Sequence, residues 1–97
     1  IKQSKPIVIC VFDKNFMKNY IKLLTTLRDA NISAEIYPGE NKLKKQMEYA
    51  NKIKAPAVIF YGEDEIKLEK LTLRDLKSGK ENSIEIKELV NEIKKII

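Results

Sequence analysis

The chain has 97 residues, and folding at this size hides roughly 65% of the unfolded surface, enough for one core and too little for a deep active site with its own lid. Hydrophobic residues at 43% against charged residues at 34% describe a folded domain rather than a disordered chain. The formal net charge of +5, carried almost wholly by lysine, permits an acidic partner such as nucleic acid, and is equally what the codon bias of an AT-rich genome produces.

The absences narrow the chemistry further. Without histidine, no Ser-His-Asp triad, His-based acid–base step or His-ligated metal can form within these residues. One cysteine, Cys10, forms neither an internal disulfide nor a cysteine zinc cluster, and fits a reducing, cytoplasmic setting. Gly39, Gly62 and Gly79 are too scattered for a phosphate-cradling loop. No apolar run approaches the roughly 18 residues of a membrane span, and no signal peptide opens the chain. Residues 1–97 read as a single domain. The start at Ile1 rather than Met suggests a piece of something longer.

In chain order, Ile7–Phe12 (IVICVF) is a continuous β-branched run suited to a strand buried on both faces, with Cys10 packed in it as a small hydrophobe. Asp13 is placed to cap a first helix, along which Phe16, Tyr20, Leu23, Leu24 and Leu27 recur at helical spacing. Asn31 suits a left-handed stop. Ser33–Tyr37 alternates as a second strand, ended by Pro38-Gly39. Asn41 is placed to cap a second helix running to about Lys54. Leu43, Met47 and Ala50 line its buried face, with Lys45, Tyr49 and Lys52 opposite.

Ala55–Tyr61 (APAVIFY) reads as a third buried strand, and Glu63-Asp64-Glu65 after Gly62 as an acidic loop. Lys70–Leu76 alternates as a fourth strand, Ser78-Gly79 turns, Asn82–Ile86 forms a fifth, and a last helix buries Leu89, Val90 and Ile93. The order is β-α-β-α-β-β-β-α. Helical crossovers make the first three strands parallel, and short links make the last pairings antiparallel. An α/β fold follows: a mixed five-stranded sheet with three helices.

Ligands of open α/β sheets collect at the carboxyl ends of the parallel strands. Phe12, Tyr37 and Tyr61 fall at that edge, as core residues or as stacking surfaces. The second helix begins there too, and its amides favour an anion beside Asn41, Lys42 and Lys45. Aromatic faces, cations and a carboxylate together suit unpaired RNA bases. Glu65 and Arg74 form the pair of interest. Glu65 can accept from a base, and Arg74 can donate a planar fork to guanine or phosphate. The plainer reading of the two is a surface ion pair worth under roughly 1 kcal/mol. Three adjacent acids lack the spaced ligands of a calcium loop, so no metal site is expected.

KLKKQMEYANK (Lys42–Lys52), AVIFYGEDE (Ala57–Glu65), KLTLRDLKSGKE (Lys70–Glu81) and ELV (Glu88–Val90) stand in an order and spacing that is familiar. From Gly39 to Val90 the chain resembles the C-terminal anticodon-binding domain of class II aminoacyl-tRNA synthetases, most closely the histidyl-tRNA synthetase branch. The first 38 residues match in their strand–helix–strand pattern. The resemblance implies the same sheet with three helices and a role in holding the tRNA anticodon loop for a separate catalytic domain. It also implies that the acid at Glu65, the base at Arg74 and the segment from Glu40 to Lys45 face the anticodon. The histidyl branch often has Lys at the position of Arg74.

The class II catalytic motifs lie outside these residues, so the resemblance implies no enzyme activity and no cofactor in this domain. The parent would be an ATP- and Mg²⁺-dependent histidine–tRNA ligase, usually a homodimer. The same domain in a threonyl-, prolyl- or glycyl-type synthetase is an alternative. So is a synthetase-like regulatory or protein-interaction module without tRNA binding.

Overall fold

A computed structural model describes residues 5–97. Five strands make one sheet in the order β2-β1-β3-β4-β5. They are β1 (Ile7–Ile9), β2 (Ala34–Ile36), β3 (Ala57–Phe60), β4 (Lys70–Asp75) and β5 (Glu81–Glu85). β1 pairs in parallel with both β2 and β3, and β4 runs antiparallel to both β3 and β5. The parallel pairings need crossovers, which α1 (Met17–Asp29) and α2 (Leu43–Lys52) supply. The expected mixed sheet, with its first three strands parallel, is therefore present, with shorter ladders than the apolar runs suggest. Beyond the β1 ladder, Cys10 still donates its amide to Ile59 at 2.9 Å.

The helix count differs from expectation. Glu63-Asp64-Glu65 is not a loop but the first turn of a short helix, α3 (Glu63–Leu68), so α4 (Leu89–Lys94) is the fourth helix. The three acids suit the positive end of the helix dipole, and Glu65 Oε1 accepts from the Gly62 amide at 3.0 Å. At the other end Glu69 takes a left-handed φ of 54°. Asn31 also adopts the left-handed conformation expected of it, with φ 62°. Asp13 caps as expected, accepting from the Asn15 amide at 2.9 Å, at a short 3-10 turn ahead of α1.

The two faces of the sheet are covered unequally. Ile7, Ile9, Ala57, Ile59, Tyr61, Leu71 and Leu73 pack with Tyr20, Leu23 and Leu27 of α1 and with Leu89 and Ile93 of α4. On the other face α2 lays Ala50 and Met47 against Val8, Cys10 and Val58. Further along that face Phe60, Thr72 and Arg74 remain half-exposed, and Lys70, Glu81, Ser83 and Glu85 are exposed. The sheet thus has one face packed across β1, β3 and β4 and one face left open over β4 and β5.

Candidate nucleic-acid interface

The open half-face is a grid set by strand register. Phe60 of β3 lies opposite Thr72 of β4, which lies opposite Ser83 of β5. In the neighbouring row Val58, Arg74 and Glu81 stand across the same three strands. Alternation sends Leu71 and Leu73 into the core and leaves Thr72 and Arg74 on the open side.

Phe12 extends this grid past the end of β1. Its ring is 48% exposed and meets that of Phe60 at a centroid distance of 6.2 Å and a 46° tilt. The backbone that carries it is held from both sides. Gln46, fully buried in α2, accepts from the Val11 amide at 2.8 Å and donates to the Val11 carbonyl at 2.7 Å. From α1, the buried Tyr20 hydroxyl accepts from the amides of Phe12 at 3.2 Å and Asp13 at 3.4 Å.

Tyr61 does not join the aromatic edge. It is only 4% exposed and lies in the core among the α1 and α4 contacts, where burial first, then the Glu69 and Glu65 charges, pushes its hydroxyl pKa up. A ring in that position offers no face for stacking. Phe60 takes the place expected of Tyr61, because the even-numbered residues of β3 point to the open side. A continuously apolar strand conceals that phase, and the polar alternation of the paired β4 is the signal that reveals it.

Tyr37 is half-buried and turned toward α2. Its hydroxyl donates to Asn41 Oδ1 at 2.7 Å, and its ring meets Tyr49 edge-on at 5.3 Å and 82°. Tyr49 donates to Glu35, and that bond is the main reason its pKa is raised. Tyr49 is therefore half-buried against the sheet rather than on a solvent face. Asn41 does not cap α2. Its side chain is taken by Tyr37, Lys42 stands at the cap position without a side-chain bond, and the Asn41 carbonyl accepts from Gln46 Nε2 at 3.0 Å. On the buried side Gln46 replaces Leu43, which is 39% exposed.

Cations gather at this end of α2. Lys42, Lys44 and Lys45 are exposed, with Lys45 3.6 Å from Glu48, while Glu40 pairs with Lys14. Tyr37, Asn41 and Gln46 tie this basic turn to the strand end that presents Phe12. The structure thus brings Phe12, Tyr37, Asn41, Lys42 and Lys45 to one edge and leaves Tyr61 out.

Glu65 and Arg74 do not form the ion pair considered above. Glu65 Oε2 accepts from the Thr72 hydroxyl at 2.8 Å while its Oε1 holds the Gly62 amide. Arg74 Nη1 lies 3.6 Å from Glu81, and Arg74 Nε is buried without a hydrogen-bond partner. The two residues are linked through Thr72, which Glu65 grips and which shares the open face with Arg74. Among the described residues, no group of three His, Cys, Asp or Glu side chains is arranged to hold a metal ion, and no helix is long and apolar enough to cross a membrane.

Comparison with known proteins is consistent from sequence to fold. A family described as "Anticodon binding domain" matches residues 6–96. The histidine–tRNA ligase of Pelagibacter ubique is 41% identical over 102 aligned positions, covering 100% of this chain and 22% of that protein. That of Finegoldia magna is 33% identical, covering 96% of this chain and 22% of the relative. The crystal structure of histidyl-tRNA synthetase from Nostoc sp. PCC 7120 superposes with a TM-score of 0.90 at 27% identity, over 95% of this chain and 22% of that one. The chain spans about a fifth of the length of these relatives.

Proposed function

The chain belongs to the anticodon-binding domain family, in its histidine–tRNA ligase branch, and from that premise we propose that it grips the anticodon loop of histidine tRNA on the open half-face of its sheet. The carrying observation is that face itself. Phe12 and Phe60 offer aromatic surface, Arg74 a donor fork, Thr72 and Glu65 acceptors, and Lys42 and Lys45 charge for the backbone. Unpaired RNA bases are recognised by stacking on aromatics and by hydrogen bonds to their edges, with phosphates supplying affinity.

In this reading the domain orients tRNA and carries out no chemistry. The reaction belongs to a catalytic domain elsewhere in a longer parent, a cytoplasmic, homodimeric ligase that joins histidine to tRNA using ATP and Mg²⁺. The domain needs no cofactor of its own, since nothing it does requires bond making.

Competition between anticodon stem-loop RNAs tests the proposal. A stem-loop carrying the histidine anticodon GUG should displace a labelled tRNA at lower concentration than stem-loops carrying threonine, proline or glycine anticodons. Equal displacement by all four would refute anticodon reading. No displacement even at low salt would refute RNA binding altogether.

A further inference from the structure

We infer that Thr72 is a specificity-determining residue, an obligate hydrogen-bond acceptor that selects the exocyclic amino group of an unpaired guanine lying against the Phe12–Phe60 step. The inference rests on the anticodon reading above and goes beyond it by assigning one base atom to one side chain.

A threonine hydroxyl ordinarily reads nothing by itself, because it rotates to donate or accept as its partner requires. Here that freedom is gone. Its hydrogen is directed at Glu65 Oε2, 2.8 Å away. A carboxylate only accepts, so it holds that hydrogen firmly. Glu65 is itself fixed, because its other oxygen holds the Gly62 amide at the start of α3. What remains on the Thr72 oxygen is lone-pair density on a half-exposed face. Such a group welcomes an N–H and rejects a carbonyl.

The surroundings narrow the ligand. Phe60 stands directly across the ladder from Thr72, and the exposed Phe12 ring meets the Phe60 ring at a tilt. Aromatic surface beside an acceptor suits a base stacked by its face and read along its edge. Arg74, two residues along the same face, supplies the opposite polarity. Its Nη1 contact with Glu81 at 3.6 Å is longer than a direct hydrogen bond, which leaves the guanidinium end of this part-exposed side chain able to donate. An acceptor next to a donor fork complements an edge bearing N–H donors beside a carbonyl, as guanine does with its N1–H and 2-amino group next to O6. In the anticodon GUG both bases carry a ring N–H beside a carbonyl, and guanine alone adds an exocyclic amino group, the group that the inosine comparison isolates.

The test replaces each guanosine of the histidine anticodon stem-loop in turn by inosine, which differs only in lacking the 2-amino group. The unmodified chain should bind one of the two inosine stem-loops about five- to tenfold more weakly, the span of one neutral hydrogen bond. Thr72→Val keeps the β-branched shape and should bind the guanosine and inosine forms equally, at the affinity the unmodified chain shows for inosine. Thr72→Ser should restore the difference. The assignment is overturned if Thr72→Val still prefers guanosine, if it weakens both forms alike, or if the unmodified chain ignores both replacements. In each of those cases a retained preference for GUG over other anticodons leaves the anticodon reading standing. Loss of that preference in the unmodified chain removes both.

Discussion

Gln46 and Val11 are 35 residues apart in sequence, yet the buried amide of one satisfies both the N–H and the C=O of the other, at 2.8 and 2.7 Å. The side chain acts as a one-residue strand partner just where the β1 ladder ends. It bolts the start of α2 to the backbone that presents Phe12. An unpaired buried backbone group costs about 1–3 kcal/mol. Gln46→Leu leaves both Val11 groups unpaired and should destabilise the domain by about 2 kcal/mol or more, measured as a lower urea midpoint. Gln46→Glu keeps the acceptor but loses the donor at neutral pH. Its stability should recover on acidification, when the carboxyl regains a hydrogen to give to the Val11 carbonyl.

Phe12 is held at the surface rather than packed beneath it, so its loss should separate binding from folding. Phe12→Ala should leave the unfolding free energy within about 1 kcal/mol of unchanged, because much of the ring is already in water. RNA affinity should fall by about 1–3 kcal/mol, the range for one stacked base. Thermal or urea unfolding alongside a stem-loop titration checks both.

Lys42 and Lys45 are assigned to phosphates, not to bases. Replacing either with Ala should weaken every stem-loop alike and reduce the slope of log affinity against log salt by about one. Arg74→Ala should instead narrow the gap between cognate and non-cognate stem-loops by about 1–3 kcal/mol. Arg74→Lys, which keeps a donor but not the planar fork, should fall between the two.

Burial pushes the Cys10 thiol up to about 12. The thiolate is the reactive form, so iodoacetamide at pH 8 should leave the folded chain unmodified and label it only on unfolding. The unfolded thiol ionises at about pH 8.5 and the folded one much later, so this contribution to stability is complete at neutral pH and is lost as pH rises toward the folded value.

Asp75 tests the opposite limb. The Lys77 amide, donating at 2.9 Å, holds its carboxyl below the usual carboxylate range and pins the turn between β4 and β5. A lowered folded pKa gives stability that is present above the unfolded value of about 3.9 and is lost as pH falls through the folded one. Asp75→Asn keeps the acceptor without the titration. It should flatten the acid dependence of the unfolding free energy by less than about 1 kcal/mol, the scale of a solvent-screened interaction.

The sheet was legible because IVICVF and APAVIFY are too apolar to be anything but buried strands, and because two helical segments force parallel pairing between them. The direction of each side chain in those runs was not. A strand apolar on both sides carries no internal phase, so Tyr61, expected at the aromatic edge, lies in the core and Phe60 stands on the open face instead. The short helix at Glu63 has six residues and too little apolar periodicity to register, although three acids after a glycine are an N-terminal signal in themselves. Gln46 escaped because a buried polar side chain interrupts the hydrophobic pattern that marks a helix face. Its role appears only once Val11 is beside it. The Glu65–Thr72 contact joins two elements whose approach depends on α3, so spacing favoured a direct pairing of Glu65 with Arg74 instead.

Titration of the isotope-labelled chain with the histidine anticodon stem-loop, followed by amide chemical shifts, addresses the location of the binding face most directly. Shifts should concentrate at Phe12, Phe60, Thr72, Arg74 and the Lys42–Lys45 turn, while the outer surfaces of α1 and α4, at Lys22, Asp29 and Asn91, stay unmoved. Shifts confined to α1 and α4, or none at all at low salt, would contradict it.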